Sequence, residues 1–287
     1  MTAGRTQRVD QELVTRGLAR SRAVAHELVR SGRVVLEGVT VSKPAMPVRA
    51  DQALCVSGEQ DPWVGRAAYK LLAALDAFPD VDPQGLRCVD VGASTGGFTQ
   101  VLLHRGASHV MAIDVGHGQL AAPVRDDPRV SDLSGISIRD VVVPGDSRPR
   151  PVVPGVHPGR SVLEVEPAPV VVTDLSFISL TLVMGRLAAL TQPGGHLLAL
   201  VKPQFEVGRE HLGHGGVVRS PQQRHRALAS VLEATGQCGL SVHGITTSPI
   251  VGGTGNREYL LWARHMPTGK MAGVDTFLDS VLRGDPA

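Results

Sequence analysis

The chain has 287 residues, enough for one large domain or for one ordinary domain plus a small one. Its composition, 42% hydrophobic and 20% charged, is typical of a soluble globular protein, and only 3% aromatic residues disfavour stacking on bare bases as the main binding mode. Cys55, Cys88 and Cys238 form no CxxC pair, which argues against a disulfide framework or structural zinc and suits a reducing cytoplasm. No secretory signal or membrane-spanning apolar run is visible, so we expect a cytoplasmic protein without a membrane partner.

The net charge of +2 is unevenly distributed along the chain. Residues 1–50 contain nine Arg and Lys against four Asp and Glu, a net charge of +5, whereas the remainder carries −3. A basic segment on a mildly acidic body indicates that the N-terminal part binds a polyanion such as nucleic acid. The alternative is an ordinary solvated charged face.

Two short helices and a small strand pair are predicted within residues 8–56. Apolar residues recur at helical spacing in the first helix, which Gly17 ends. Ser21 can cap the second helix, and Gly32 ends it. The stretch "VVLEGVTV" predicts a hairpin whose turn requires the positive φ that Gly38 supplies.

This order of parts resembles the S4 RNA-binding module over some 50 residues. The resemblance is carried by Arg8 and Asp10, by the turn "GLARSR", by Gly32 and by the hairpin. It implies that residues 1–60 form an S4-like domain, followed by a linker at 61–65, and that its arginines contact the phosphates of folded RNA. The implied contacts are Arg8, Arg16, Arg20, Arg22 and Arg30.

Alternating helices and strands are predicted over residues 66–287. The helix "AAYKLLAALDAF" precedes the strands "LRCVDVG", "HVMAIDV", "PVVVTDL", "HLLALVK", "LSVHGITTSPI" and "EYLLWAR". This alternation predicts an α/β domain in which helices cover both faces of a parallel sheet. The proline-rich residues 144–169 lack periodicity and are predicted to form a surface loop.

The glycine-rich turn "DVGASTGGFT" predicts a cofactor site after the first strand of this domain. Its spacing is neither G-x-G-x-x-G nor that of a P-loop, so pyrophosphate binding is disfavoured and S-adenosylmethionine fits better. Asp90 can accept from the ammonium group, directly or through water. Asp114 at the next strand end can take the ribose hydroxyls, and Asp140, expected at the following strand end, can lie by the adenine. The predicted cofactor set is Asp90, Gly92, Ala93, Ser94, Gly96, Gly97, Phe98, Asp114 and Asp140.

Two further strand ends carry charged residues where an α/β sheet places its ligand crevice. Asp174 follows "PVVVT", and Lys202 follows "HLLALV" directly before a proline. A lysine at that position is atypical of solvent-exposed lysines. A structural ion pair is the alternative interpretation of each.

The motifs "DVGASTGGFT", "TDLSFISL", "LVKPQFEVGRE", "GGVVR" and "SPIVGGTGNREYLLW" resemble those of the TlyA family of ribosomal RNA methyltransferases. These proteins join an S4 module to an FtsJ-like domain of the class I, Rossmann-like fold. The resemblance implies 2′-O-methylation of a cytidine ribose in ribosomal RNA, with ribosomal RNA or ribosomal subunits as partners. The family's catalytic set falls on Lys70, Asp174, Lys202 and Glu258.

Methyl transfer from a sulfonium needs no metal, and none is predicted. Lys202 could remove the proton of the ribose hydroxyl, with Asp174 fixing the lysine, or it could act by electrostatic stabilisation of the developing alkoxide. Arg66 and Arg219 are further predicted RNA contacts, and Asn256 is a candidate substrate contact. We expect the protein to be a monomer.

Three other functions remain open at this level. A methyltransferase acting on a small-molecule hydroxyl would leave the basic N-terminal module without a purpose. A non-catalytic RNA-binding protein would not need all four catalytic residues. A pore-forming haemolysin, a label sometimes attached to this family, would need an amphipathic or membrane-spanning segment of suitable length, and none is visible in the sequence.

Overall fold

A computed structural model of the protein describes residues 6–19, 21–58, 61–145, 163–208, 212–266, 278 and 281. The chain divides into two compact units, Met1–Pro62 and Trp63–Ala287. Trp63 packs edge-to-face on His104, with ring centroids 5.4 Å apart, and Val64 N donates to Gln100 Oε1 at 2.7 Å. The segment predicted as a linker therefore belongs from Trp63 onward to the second unit.

The first unit is built from short elements around one apolar cluster. In chain order they are β1 (Thr6–Arg8), α1 (Val9–Thr15), α2 (Arg22–Arg30), β2 (Val34–Leu36), β3 (Val39–Thr40), β4 (Pro47–Arg49) and β5 (Leu54–Val56). β1 pairs with β4, and β2 lies between β3 and β5, all antiparallel. The cluster includes Val9, Leu13, Ala25, Val29, Val34 and Val48.

Local sequence signals account for the helix ends and the hairpin of this unit. α1 ends before Gly17, as predicted. Ser21 Oγ accepts from Val24 N at 3.3 Å and caps α2. Glu37 and Gly38 have φ values of 49° and 81°, so the β2–β3 turn has the two positive φ angles of a type I′ hairpin.

The second unit contains the large sheet. Its elements are α3 (Ala67–Ala77), β6 (Arg87–Val91), α4 (Gly97–His104), β7 (His109–Asp114), α5 (Ala122–Arg125), β8 (Val130–Ser134), β9 (Val141–Val142), β10 (Leu163–Glu164), β11 (Ala168–Thr173), α6 (Leu180–Leu190), β12 (Thr191–Val201), α7 (Pro203–Glu206), α8 (Pro221–Gln237), β13 (Leu240–Thr247) and β14 (Tyr259–His265). The seven main strands have the order β13-β14-β12-β11-β6-β7-β8.

Strand direction in this sheet differs from the prediction at one position. β12, β11, β6, β7 and β8 are parallel, but β14 is antiparallel to both of its neighbours. The predicted all-parallel sheet is therefore wrong for β14. Its connection from β13 contains no helix, and a parallel return to the sheet needs a crossover connection.

Helices cover both faces of the sheet, as predicted. Because side chains alternate along a strand, Val89 and Val171 pack in a cluster with α6 and α8, whereas Cys88 and Val170 pack in a second cluster with α3 and α4. No helix in the described ranges is long and apolar enough to cross a membrane.

The end of β8 and the extent of the loop before β11 also differ from the sequence prediction. β8 ends at Ser134, and Asp140 instead closes a short 3-10 turn, Ile138–Asp140, so it does not end a strand of the sheet. The predicted loop 144–169 contains β10 and the first residues of β11. Its central residues 146–162 lie outside the described ranges.

Candidate active site

Two cavities meet where the parallel strands of the second unit end. One has a volume of about 530 Å³ and lies beside the glycine turn; we call it the cofactor cavity. The other, of about 610 Å³, is lined by Lys70, Lys202 and Glu258; we call it the acceptor cavity. Residues 176–178 line both. Both volumes lie in the range of small-molecule sites, and the carboxyl ends of parallel strands are where α/β sheets bind ligands.

The glycine turn exposes bare backbone to the cofactor cavity. Gly92 lines it with a φ of 87°, and a Cβ at this position would lie 3.0 Å from the carbonyl oxygen of Asp174. Ser94, which follows with a φ of 49°, also lines the cavity. A side chain at Gly92 would be strained and would crowd the junction between β6 and β11.

Asp114 lines the same cavity with its carboxylate held by backbone groups. Ser94 N donates to Oδ2 at 2.8 Å, and Gly116 N donates to Oδ1 at 2.7 Å. Each carboxylate oxygen has a second lone pair, so the group can still accept from two hydroxyls. The fixed carboxylate, the bare backbone and the apolar wall of Ile113, Val115 and Ile138 fit a nucleoside such as that of S-adenosylmethionine.

Asp90 lies behind the glycine turn and does not line the cavity. It is fully buried, and Thr99 Oγ1 donates to its Oδ2 at 2.6 Å, whereas Oδ1 has no hydrogen-bond partner among the described residues. Burial raises the pKa of Asp90 to about 7, although the Thr99 hydrogen bond acts in the opposite direction. A direct contact with a ligand in the cavity is not available to this side chain.

Other predicted cofactor residues have packing positions instead. Gly96 and Gly97 allow close approach, since a Cβ on them would lie 2.8 Å from Val124 Cγ1 and 3.1 Å from Ala68 N, respectively. Phe98 and Ala93 are buried in apolar clusters, and Asp140 lies outside the cavity lining. The lining residues that the sequence analysis missed include Val115, Gln119, Ile136, Ser137, Arg139 and Leu175.

The four predicted catalytic residues come together as a chain of alternating charges. Lys202 Nζ lies 2.6 Å from Asp174 Oδ1, and Lys70 Nζ lies 3.6 Å from Asp174 Oδ2 and 2.6 Å from Glu258 Oε2. The side chains are between 3% and 13% exposed. Each charge is paired with an opposite charge, which offsets much of the desolvation that burial imposes.

Four different elements position this array. Lys70 lies on α3, Asp174 directly follows β11, Lys202 lies between β12 and α7, and Glu258 directly precedes β14. β11 and β12 are adjacent parallel strands, so their ends bring Asp174 and Lys202 together. The antiparallel β14 brings its starting end to the same edge of the sheet, which is how Glu258 joins them.

Asn256 is buried and joins two loops that border the acceptor cavity. Its Oδ1 accepts from Val218 N at 2.9 Å, and its Nδ2 donates to the Gly216 carbonyl and to Thr254 Oγ1, each at 2.9 Å. These hydrogen bonds connect the two loops. A substrate contact by Asn256 stays a prediction.

A buried carboxylate organises cations on the first unit. Arg8 donates to both oxygens of Asp10 at 2.9 Å, and Arg22 Nη2 and His26 Nε2 lie 3.0 Å and 2.7 Å from Oδ2. These contacts, the Arg8 hydrogen bond first among them, hold the pKa of Asp10 far below its usual range despite its burial. Arg8 and Arg22 remain 43% and 57% exposed, so both retain donors toward solvent.

Arg16 has a different environment from Arg8 and Arg22. Its guanidinium donates to Glu12 Oε1 and to the carbonyls of Arg49, Ala50 and Gln52, at 2.7 to 3.1 Å. Its side chain is 23% exposed. The donors of Arg16 thus hold the β4–β5 turn onto α1, which leaves little for a phosphate.

Of the remaining predicted RNA contacts, three are surface residues and one lies outside the described ranges. Arg30, Arg66 and Arg219 are exposed, whereas Arg20 is outside the described ranges. Within those ranges no group of three or more His, Cys, Asp or Glu side chains is arranged to hold a metal ion.

Comparison with known proteins agrees with the two-unit organisation. The S4 domain model matches residues 7–54, and the FtsJ-like methyltransferase model matches residues 63–265. A Mycobacterium tuberculosis protein named 16S/23S rRNA (cytidine-2′-O)-methyltransferase TlyA is 45% identical over 261 residues, which cover 91% of this chain and 90% of that protein. The chain belongs to the TlyA family. It is a methyltransferase of the class I, Rossmann-like fold with an S4 domain, as the sequence predicted.

Two other TlyA-like proteins carry a different name. Hemolysin A of Brachyspira hyodysenteriae is 32% identical over 88% of this chain and 98% of its own length. A solved structure described as "Putative hemolysin from Streptococcus thermophilus" superposes with a TM-score of 0.70 at 33% identity, covering 98% of this chain and 96% of the other. The TlyA fold is therefore shared by relatives that are named for two different activities.

Proposed function

We propose that this TlyA-family methyltransferase transfers a methyl group from S-adenosylmethionine to the 2′-hydroxyl of a cytidine ribose in ribosomal RNA. The observation that carries the proposal is the buried array of Lys202, Asp174, Lys70 and Glu258, which lies where the cofactor and acceptor cavities meet. A nucleophile in one cavity would face a donor in the other across this junction. The name of the Mycobacterium tuberculosis relative supports the choice of cytidine and of ribosomal RNA.

The chemical difficulty lies in the acceptor, because a ribose hydroxyl is a very weak acid. When bound, S-adenosylmethionine supplies a methyl group that is already electrophilic. Lys202 takes the hydroxyl proton, and Asp174, 2.6 Å away, stabilises the ammonium that forms. Lys70, held by Glu258, places a second positive charge near the developing alkoxide.

The cofactor cavity supplies binding and orientation. Asp114 would accept from the ribose hydroxyls of the cofactor, and the bare backbone at Gly92 would admit its amino-acid part. Val115 and Ile138 would provide apolar contacts for the adenine.

The first unit is proposed to hold the RNA through phosphate contacts. Arg8 and Arg22, fixed by the buried Asp10, present oriented guanidinium groups, and Arg30 extends the basic surface along α2. Arg66 and Arg219 of the second unit are proposed as further contacts. Because Arg16 is committed to carbonyl groups, we assign it a structural rather than an RNA-binding role.

Methyl transfer from radiolabelled S-adenosylmethionine tests this proposal. Purified small and large ribosomal subunits and their naked RNAs are each incubated with the wild-type protein and with Lys202→Ala. We expect label in ribosomal RNA with the wild type and a loss of at least 100-fold in the variant, the lower range for removal of a general base. Cofactor binding by the variant, measured separately, controls for its folding.

Two other outcomes would point to other functions. Label that appears only in small molecules of a cell extract, and survives removal of residues 1–62, would favour a small-molecule hydroxyl as acceptor. Lysis of erythrocytes by the pure protein, without any methyl transfer, would favour the activity for which the Brachyspira relative is named.

A further inference from the structure

Ser176 lies at the meeting point of the two cavities and has no role in the four-residue array. It follows Asp174 by two positions and lines both the cofactor cavity and the acceptor cavity. The residue itself is exposed, although its hydroxyl contacts a buried side chain. The backbone of the segment is anchored separately, because Asp174 N donates to the Val91 carbonyl at 3.2 Å.

The hydroxyl of Ser176 contacts the amine that the proposed reaction uses. Lys202 Nζ donates to Ser176 Oγ at 2.7 Å, and the same nitrogen lies 2.6 Å from Asp174 Oδ1. Both oxygens belong to the segment 174–176. The centroid of the Phe205 ring lies 6.0 Å from Nζ.

Two different contacts hold the Lys202 amine. Ser176 Oγ accepts a hydrogen bond from Nζ, whereas Asp174 Oδ1 lies at ion-pair distance without hydrogen-bond alignment. A hydrogen bond is directional, whereas attraction between charges does not fix the rotation about the Cε–Nζ bond. Ser176 therefore fixes the orientation of the amine beside the acceptor cavity, which both residues line.

We propose that Ser176 is a positioning residue for methyl transfer, which orients the amine of Lys202 toward the acceptor hydroxyl. The inference rests on the proposed function. In the step it supports, the ribose oxygen forms a bond to the methyl carbon as the carbon–sulfur bond breaks. The sulfur retains that electron pair, and the hydroxyl proton moves to Lys202 Nζ, which becomes an ammonium with three N–H groups.

The test compares Ser176→Ala with Ser176→Thr in steady-state methyl transfer to ribosomal RNA. Ser176→Ala should fold like the wild type and lower kcat by about 10- to 100-fold, the range expected for one hydrogen bond to a charged group, with KM for RNA and cofactor within about twofold. Ser176→Thr keeps a hydroxyl at the same position and should recover most of the lost kcat. Positioning, unlike general structural support, predicts this separation of kcat from KM.

Three results would overturn the role of Ser176. They are an unchanged kcat in Ser176→Ala, a loss confined to KM, and equal values of kcat for the alanine and threonine variants. The wild-type enzyme and Lys202→Ala are assayed in parallel. Absence of transfer by the wild type would overturn the proposed function and the role of Ser176 together, whereas normal wild-type transfer with an unaffected Ser176→Ala overturns the role of Ser176 alone.

Discussion

Replacing Asp90 by asparagine should remove a pH dependence from the stability of the second unit. The pKa of Asp90 is raised to about 7, mainly because the carboxyl group is buried, so the native state keeps a proton that the unfolded chain releases near pH 4. This contribution to stability is complete below about pH 4 and is lost as the pH rises through about 7. Between about pH 5 and pH 8 it amounts to about 2 to 3 kcal/mol of unfolding free energy.

Urea denaturation followed by tryptophan fluorescence measures this effect. The chain has two tryptophans, Trp63 and Trp262, and both belong to the second unit. The difference in unfolding free energy between Asp90→Asn and the wild type cancels other groups that titrate in the same range. We expect it to shift by about 2 to 3 kcal/mol in favour of the variant from about pH 5 to pH 8.

A difference that stays constant across this pH range would refute the reasoning. It would mean that Asp90 is already ionised in the native protein at pH 5 and therefore takes up no extra proton on folding. A constant offset with no slope is also expected from the unsatisfied amide group alone, which costs about 1–3 kcal/mol at every pH. The slope, rather than the offset, therefore decides the question.

Three further predictions concern the RNA-binding surface and the acceptor site. Asp10→Asn should weaken RNA binding, and the slope of log affinity against log salt concentration should fall in magnitude by roughly 0.7 to 1.8, because up to two arginine contacts lose their orientation. The exposed Asp51→Asn, which changes the charge by the same amount, is the control. Tighter RNA binding by Asp10→Asn would contradict the prediction. Asn256→Ala should raise KM for RNA by about tenfold by releasing the loops beside the acceptor cavity, and an unchanged KM in steady-state assays would count against it. Glu258→Gln should lower kcat at least tenfold and leave the cofactor affinity, measured by isothermal titration calorimetry, unchanged. The reason is that Glu258 contacts Lys70 but does not line the cofactor cavity. A loss of cofactor affinity would contradict this assignment.

The charged residues that follow β11 and β12 were the part of the site that the sequence predicted most directly. Asp174 and Lys202 each follow a buried apolar strand, and adjacent parallel strands bring such residues together without further information. Lys70 and Glu258 have no comparable signal. A lysine on an amphipathic helix and a glutamate after a glycine turn are ordinary features, so only the resemblance to a family indicated them.

Tertiary contacts explain where the structure differs from what the sequence alone led us to expect. Arg16 has the spacing of an RNA-contacting arginine, but the carbonyls that bind its guanidinium lie more than 30 positions away in the sequence. The alternation in "ISIRD" resembles a strand, whereas β8 ends earlier and Asp140 closes a 3-10 turn. The direction of β14 depends on which strands it joins, and local periodicity does not contain that information.

The position of the methyl group tests the central claim most directly. Ribosomal RNA labelled by the wild-type protein is digested to nucleosides for mass spectrometry, and a parallel sample is hydrolysed with alkali, which cannot cleave the phosphodiester next to a 2′-O-methylated ribose. We predict that the label elutes as 2′-O-methylcytidine and remains in alkali-resistant dinucleotides, and that both signals disappear with Lys202→Ala. Label in a methylated base, released by alkali as a mononucleotide, would contradict the assignment of a ribose hydroxyl as the acceptor beside Lys202.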